Sequence, residues 1–210
     1  MVLIIDTETT GLRGIPEDRV LEIGITEYDG DSGNISPVYS EIIRYDDIVE
    51  FDSKYVNPDG SRRIWIYRNS DMRVEDTLNA AKDLDTVVRE VREIVSGKEV
   101  TSYNVGFDFG KFLYQEPWNI RNMVTRKIDI MKLATTKVYE LADSDSIEDK
   151  GLQERLLRER EDSPYPEKWV RSQDAYRVLC PDNPMRLGNQ THRALDDAIM
   201  EGWILKALTE

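Results

Sequence analysis

Cysteine is nearly absent. The single Cys180 permits no internal disulfide and suits a reducing compartment. Long apolar runs are missing too. The stretch that opens the chain, MVLII, is far shorter than a signal-peptide core or a bilayer span. Together these absences give the expectation of a cytoplasmic protein with no membrane contact. Positive charge is in short supply, with 28 Lys and Arg against 41 Asp and Glu and a net charge of −13. That excludes a protein that wraps nucleic acid by bulk positive charge. It leaves open an enzyme that grips phosphates through divalent cations, which bring their own charge. Histidine occurs once, as His192. No internal repeat or low-complexity tract is present.

What remains is a 210-residue chain with 40% hydrophobic residues, enough for one domain of generous size over residues 1–210. Val2-Leu3-Ile4-Ile5 is short, continuous and branched, as in a strand covered on both faces. RVLEIGITEYD and VYSEIIRY follow as two more strands of a meander, with Gly30 and Gly33 at the turn between them. Asn57-Pro58-Asp59-Gly60, between β-prone arms, predicts an extra hairpin over residues 53–68. Its Arg62, Arg63, Trp65 and Arg68 either contact nucleic acid or form a solvated basic edge, and the second is the default. Leu84, Val87, Val88, Val91, Ile94 and Val95 fall at helical spacing, with Gly97 closing that helix. EVTSYN reads as a fourth strand and GFDFGKFLYQE as the helix after it. RKIDIMKLA reads as a fifth strand or its exit. Residues 143–168 turn sharply charged and are read as an inserted helix or flap. The tail THRALDDAIMEGWILKAL is a last amphipathic helix. Meander followed by strand–helix alternation predicts an α/β fold, three layers around one mixed sheet.

Sites in such sheets gather at the carboxyl ends of strands, and Asp6 and Glu8 stand at one. A strand alternates its faces, so both carboxylates leave from the same side. They are either solvated at the strand end or held together by a cation, because two buried like charges are otherwise costly. Asp108 follows the fourth strand, flanked by Phe107 and Phe109, either as a helix-start residue or as a third carboxylate of the same site. His192 stands two residues before ALDDA, on a helix with an apolar stripe through Leu195, Ala198, Ile199, Trp203 and Leu205. Of Asp196 and Asp197, one faces solvent and the other the sheet; helix periodicity does not choose between them. Four carboxylates and a histidine are the parts needed for two-metal phosphodiester hydrolysis. A neutral imidazole suits the proton abstraction.

In order, DTETTGL, YNVGFD and HRALDDA resemble the three motifs of the DEDDh branch of the DnaQ-like 3′→5′ exonucleases. DRVLEIG, KIDIMKLA and SQDAYRVL are similar to that family's secondary blocks. The resemblance runs from residue 2 to about 206. It implies a ribonuclease H-like fold, α/β/α with a five-stranded mixed sheet. It implies that Asp6, Glu8, Asp108 and Asp197 hold two Mg²⁺ or Mn²⁺ ions and that His192 is the general base. The histidine five residues before the last aspartate selects Asp197. By the same resemblance Thr9, Gly11 and Leu12 contact the terminal nucleotide, and Asn104 and Phe107 line its pocket. YRNSDM replaces the His-Gly-Ile-Thr pattern of many relatives. The segments at 53–68 and 143–168 are also departures.

The implied activity is release of nucleoside 5′-monophosphates from single-stranded DNA 3′ ends. Trimming of RNA 3′ ends is the alternative on the same fold, and a non-catalytic nucleic-acid-binding or interaction protein is a third reading. The partners expected are single-stranded DNA or RNA 3′ ends. A polymerase partner is not indicated. Arg155, Arg158 and Arg160 in the charged insert either grip phosphates or belong to a solvated helix, the latter being the default.

Overall fold

The computed structural model describes residues 1–126, 128–165, 168–183 and 192–210. Lys127 of the expected fifth strand, Pro166 and Glu167 of the charged insert, and Thr191 at the head of the last helix lie outside them. A mixed sheet of six strands runs in the order β4-β3-β2-β1-β5-β6. Its members are β1 (Val2–Thr9), β2 (Val20–Asp29), β3 (Asn34–Arg44), β4 (Lys82–Asp83), β5 (Glu99–Thr101) and β6 (Thr125–Arg126). β1, β2 and β3 form the antiparallel meander, while β5 lies parallel to β1 and β6 parallel to β5. The sixth strand is the two-residue β4 beside β3, too short to carry an alternation in sequence.

β1 lies inside the sheet and is covered on both faces, which is why its apolar run is unbroken. Leu3 and Ile5 join a core with α4 (Leu84–Val95) and the helix Gly106–Leu113. Val2 and Ile4 join the opposite core with α5 (Ile130–Asp143), α7 (Ser172–Leu179) and α8 (Ala194–Thr209). The even-numbered side of β1 therefore looks at α8, and Asp6 and Glu8 continue that side. Asp83 caps α4 by accepting from Thr86 N at 2.9 Å. Asp129 caps α5 and also accepts from Val105 N at 2.9 Å, tying the end of β5 to that helix.

Between β3 and α4 the chain departs from a simple hairpin. The turn at Asn57–Gly60 is present, with Gly60 N donating to Asn57 O at 2.9 Å. Its arms pair only through Val56 and Arg62, and the segment otherwise coils into α1 (Ile48–Lys54), α2 (Ile66–Asn69) and α3 (Val74–Leu78). Tertiary burial overrides the local β preference here: Ile48, Tyr55, Ile64, Ile66 and Met72 close around Leu21 in a small core of their own. The charged insert forms α6 (Lys150–Glu161). Arg155 forks onto Asp174 of α7 at 2.6 and 3.2 Å, and Arg160 onto Asp143 of α5 at 2.6 and 3.0 Å. These two arginines fasten α6 to its neighbours, in line with the structural rather than the phosphate-gripping reading.

Candidate active site

Opposite Asp6 on β2 stands Gly24. A Cβ there would lie 2.3 Å from Ala194 C and Leu195 N, so the absent side chain is what lets the start of α8 rest on the sheet. Two register positions away, opposite Glu8, is Glu22. Its buried carboxylate accepts from Arg193 Nη2 at 2.8 Å, from Arg193 Nε at 3.0 and 3.1 Å and from Ala194 N at 3.2 Å. Space at Gly24 and charge at Glu22 together fix where α8 begins. The consequence is that one ligating atom each of Glu8, His192 and Asp197 lies within 4.8 Å of the others.

Asp108 reaches the same place from the far side of β1. It lies in the first turn of a π-type helix, where Tyr114 N bonds back five residues to Phe109 O at 2.9 Å. Its carboxylate does not cap that helix. It accepts from Thr7 N at 3.2 Å and Thr7 Oγ1 at 2.8 Å across the sheet. Burial pushes Asp108 up to about 7, with hydrogen bonding to Thr7 and Ser102 pulling the other way.

Desolvation likewise raises Asp6, Glu8 and Glu201 well above the usual carboxylate range, and mutual repulsion adds to each. Glu201, Asp108, Glu8 and Asp197 all act on Asp6. Arg193 is the cation that lowers Glu8, against four causes that raise it. Burial lowers His192, keeping its imidazole neutral at pH 7. A site with this much unbalanced negative charge, oxygen ligands and one neutral nitrogen fits hard divalent cations.

The resemblance did not name Glu201. Its carboxylate accepts from Tyr103 N at 3.1 Å and is almost wholly buried. The signal was in the sequence: an acid four residues after Asp197, on the face that otherwise reads as apolar. Glu22 and Arg193 were visible only as members of motif blocks, without a reason for their pairing.

The expected nucleotide contacts divide into two places. Thr10 and Gly11 are locked by Asp18, which accepts from Thr10 Oγ1 (3.2 Å), Arg13 N (2.6 Å), Gly14 N (3.3 Å) and the Tyr55 hydroxyl. A Cβ on Gly11 would collide with that hydroxyl at 1.8 Å. Thr9 Oγ1 donates to Gly11 O at 2.8 Å, and Leu12 is left exposed beyond this loop. Lys111 donates to Leu12 O and lies 5.6 Å over the Phe107 ring, bringing Leu12 and Phe107 to one rim. Asn104 instead turns its side chain to Phe107 N at 3.2 Å and lines a 610 Å³ surface cavity with Arg126, Lys132 and Trp169.

The model of the RNase_T exonuclease family matches residues 3–155. The chain belongs to that exonuclease family. The match takes in Asp6, Glu8 and Asp108 and stops before His192 and Asp197, which only the fold returns to the site. No curated protein matches the chain. Among solved structures it is similar to a full-length 3′-exonuclease, at 12% identity and TM-score 0.51 over 98% of this chain and 59% of that one. It is also similar to the 3′-exonuclease of a complex described as 3′-end specific recognition of histone mRNA stem-loop, at 13% identity and TM-score 0.54 over 98% of this chain and 79% of that one. Cell-death related nuclease 4 aligns at 12% identity and TM-score 0.48 over 98% and 62%. The chain thus spans about three fifths of the length of two of these proteins. At such identities the likeness shows the α/β exonuclease fold.

Proposed function

We propose that this exonuclease-family chain hydrolyses single-stranded nucleic acid from the 3′ end, releasing nucleoside 5′-monophosphates, with DNA as the leading substrate. Residues 1–210 act as one domain in this reading, because α8 is needed to return His192 and Asp197 to β1. The observation that carries it is the meeting of Glu8, His192 and Asp197 within 4.8 Å beside the half-buried Asp6 and the buried Asp108. Asp6, Glu8, Asp108 and Asp197 would hold two Mg²⁺ or Mn²⁺ ions. Bound there, such ions neutralise the scissile phosphate and lower the pKa of a coordinated water.

The chain's own residues supply the rest. His192, neutral because burial lowers its pKa, takes a proton from the attacking water on a ring nitrogen. Oxygen joins phosphorus as the bond to the 3′ oxygen breaks, and that oxygen is protonated from solvent. Glu8 and Asp197 stand beside the resulting imidazolium and stabilise its charge. The Arg193–Glu22 pair holds the backbone on which His192 is carried. Leu12 and Phe107 form an apolar rim for the last nucleotide, with the Thr9–Gly11 loop beneath it.

RNA is the second reading, favoured by the fold neighbour whose complex concerns histone mRNA. Discrimination rests on contacts to the 2′-hydroxyl. The test uses 5′-labelled single-stranded DNA and RNA of one sequence with Mg²⁺, Mn²⁺ or EDTA. A ladder shortening from the 3′ end, abolished by EDTA, is expected, and the faster polymer names the substrate. No shortening of either polymer by folded protein sinks the proposal.

A further inference from the structure

Trp65 is exposed in a segment built to bury its neighbours. Ile64 and Ile66 on either side are 0% and 2% exposed, sealed against Leu21, Ile48, Tyr55 and Met72, while the indole between them is 45% exposed. Its backbone is held from both directions. Ile64 N donates to the buried Asp52 at 2.8 Å, and Trp65 O accepts from Arg68 N at 3.0 Å and Asn69 Nδ2 at 2.8 Å. The segment is also fastened to the candidate site. Tyr55 donates to the Asp18 that locks the Gly11 loop, Arg13 Nη2 donates to Val56 O at 2.8 Å, and Arg193 Nη1 lies 3.9 Å from Asp71. An aromatic placed this rigidly loses little entropy when it takes up a ligand. Its ring centroid lies 5.0 Å from that of His192, edge to face at 83°.

We propose that Trp65 is a stacking platform for a nucleobase of the last two nucleotides of the 3′ end. This deepens the exonuclease reading and rests on it. A large flat apolar surface left in water beside a phosphodiester site matches the one part of a polynucleotide that is itself flat and apolar. Stacking tolerates every base, as an enzyme that advances along a strand requires. The exposed Arg62 and Arg68 on the same segment add positive charge near Trp65 in a chain of net charge −13. The competing role for Trp65 is a prop that orients the His192 ring.

The test compares wild type, Trp65→Phe and Trp65→Ala on 5′-labelled oligonucleotides with Mg²⁺. One oligonucleotide is ordinary, and the others carry an abasic residue at the last or the penultimate position. The wild type is expected to lose about tenfold or more in kcat/KM on one abasic substrate, the scale of one base–aromatic stack. Trp65→Ala should show that loss on the ordinary substrate, through KM, and no further loss on the abasic one. Trp65→Phe should keep most of the preference, and the pH profile of kcat should not move. An equal loss on all substrates, or a shifted acid limb of kcat, makes Trp65 a prop for His192 and overturns the proposal. So does an unchanged Trp65→Ala. Should the wild type cleave nothing, the exonuclease reading fails separately. Quenching of tryptophan emission by the same oligonucleotides then decides: quenching lost in Trp65→Phe supports stacking, and quenching equal in both proteins overturns it.

Discussion

His192 and the carboxylates around it are opposite cases of one physical effect. Burial favours the neutral form of each, so the imidazole becomes a better-populated base at pH 7 while the acids become reluctant to ionise. His192→Gln keeps a polar side chain but removes the proton acceptor, so hydrolysis should fall by roughly 10²–10⁴ and lose the acid limb of its pH–rate profile below about pH 6.5. A rate profile unchanged by the substitution would take His192 out of the mechanism. Asp108→Asn and Asp197→Asn each remove a charge that a cation would balance. Both should abolish turnover with Mg²⁺ while leaving the circular dichroism spectrum intact. In EDTA at pH 8 both should melt higher than wild type, because repulsion is relieved. Lower melting in EDTA would mean that these groups serve the fold rather than an ion.

Elements bring these residues together by fit rather than by propensity. α8 can begin over β2 because position 24 carries no Cβ, and Gly24→Ala forces one to within 2.3 Å of backbone atoms that cannot swing aside. A cost of about 1–3 kcal/mol is expected, with loss of activity as His192 is displaced. Gly30→Ala, whose Cβ would meet nothing within 4 Å, is the control that should change neither melting nor rate. On α6, Arg155→Ala leaves the Asp174 carboxylate, 8% exposed, without its fork. Stability should drop by about 1–3 kcal/mol while KM for oligonucleotides and its salt dependence stay put. A flattened salt dependence would restore a phosphate-gripping role. The same attention to fit explains what was hard to read in sequence. The turn at Asn57–Gly60 is strongly signalled locally, yet the arms coil, because Ile64, Ile66 and Met72 have a separate core to fill.

For the molecule as a whole, the site makes metal-free stability fall as pH rises. Asp6, Glu8, Asp108 and Glu201 have folded pKa values raised above their unfolded 3.8 or 4.5. The folded state therefore holds more protons than the unfolded one from about pH 4 upward, through the value of about 7 for Asp108. Unfolding free energy declines across that range. His192 acts the other way, since a lowered pKa adds stability as pH rises toward 6.5, but it is one group against four. Melting temperatures in EDTA should fall from pH 5 to pH 8, and Mg²⁺ should flatten the slope by binding the ionised acids. A slope of the opposite sign, or one indifferent to Mg²⁺, would contradict the assignment of these residues to a cation site. Among the described residues no helix is long and apolar enough to cross a membrane.

The sequence by itself determined the class of fold and the strand that ends in Asp6 and Glu8, because each is written in local periodicity; between Asp196 and Asp197 periodicity was silent, and the resemblance chose. Helix α4 and its closing Gly97 were legible for the same reason, since burial on one face repeats every three or four residues. What only the tertiary structure decided is what meets across the chain. Thr7 holds Asp108 over 101 residues, Glu22 holds Arg193 over 171, and Glu201 adds a fifth, buried acid to the four that the resemblance named. It also set Trp65 against His192, a contact between two segments with no shared pattern. Such pairings follow from how helices settle on a twisted sheet, and that packing is fixed by the volume and shape of many side chains at once.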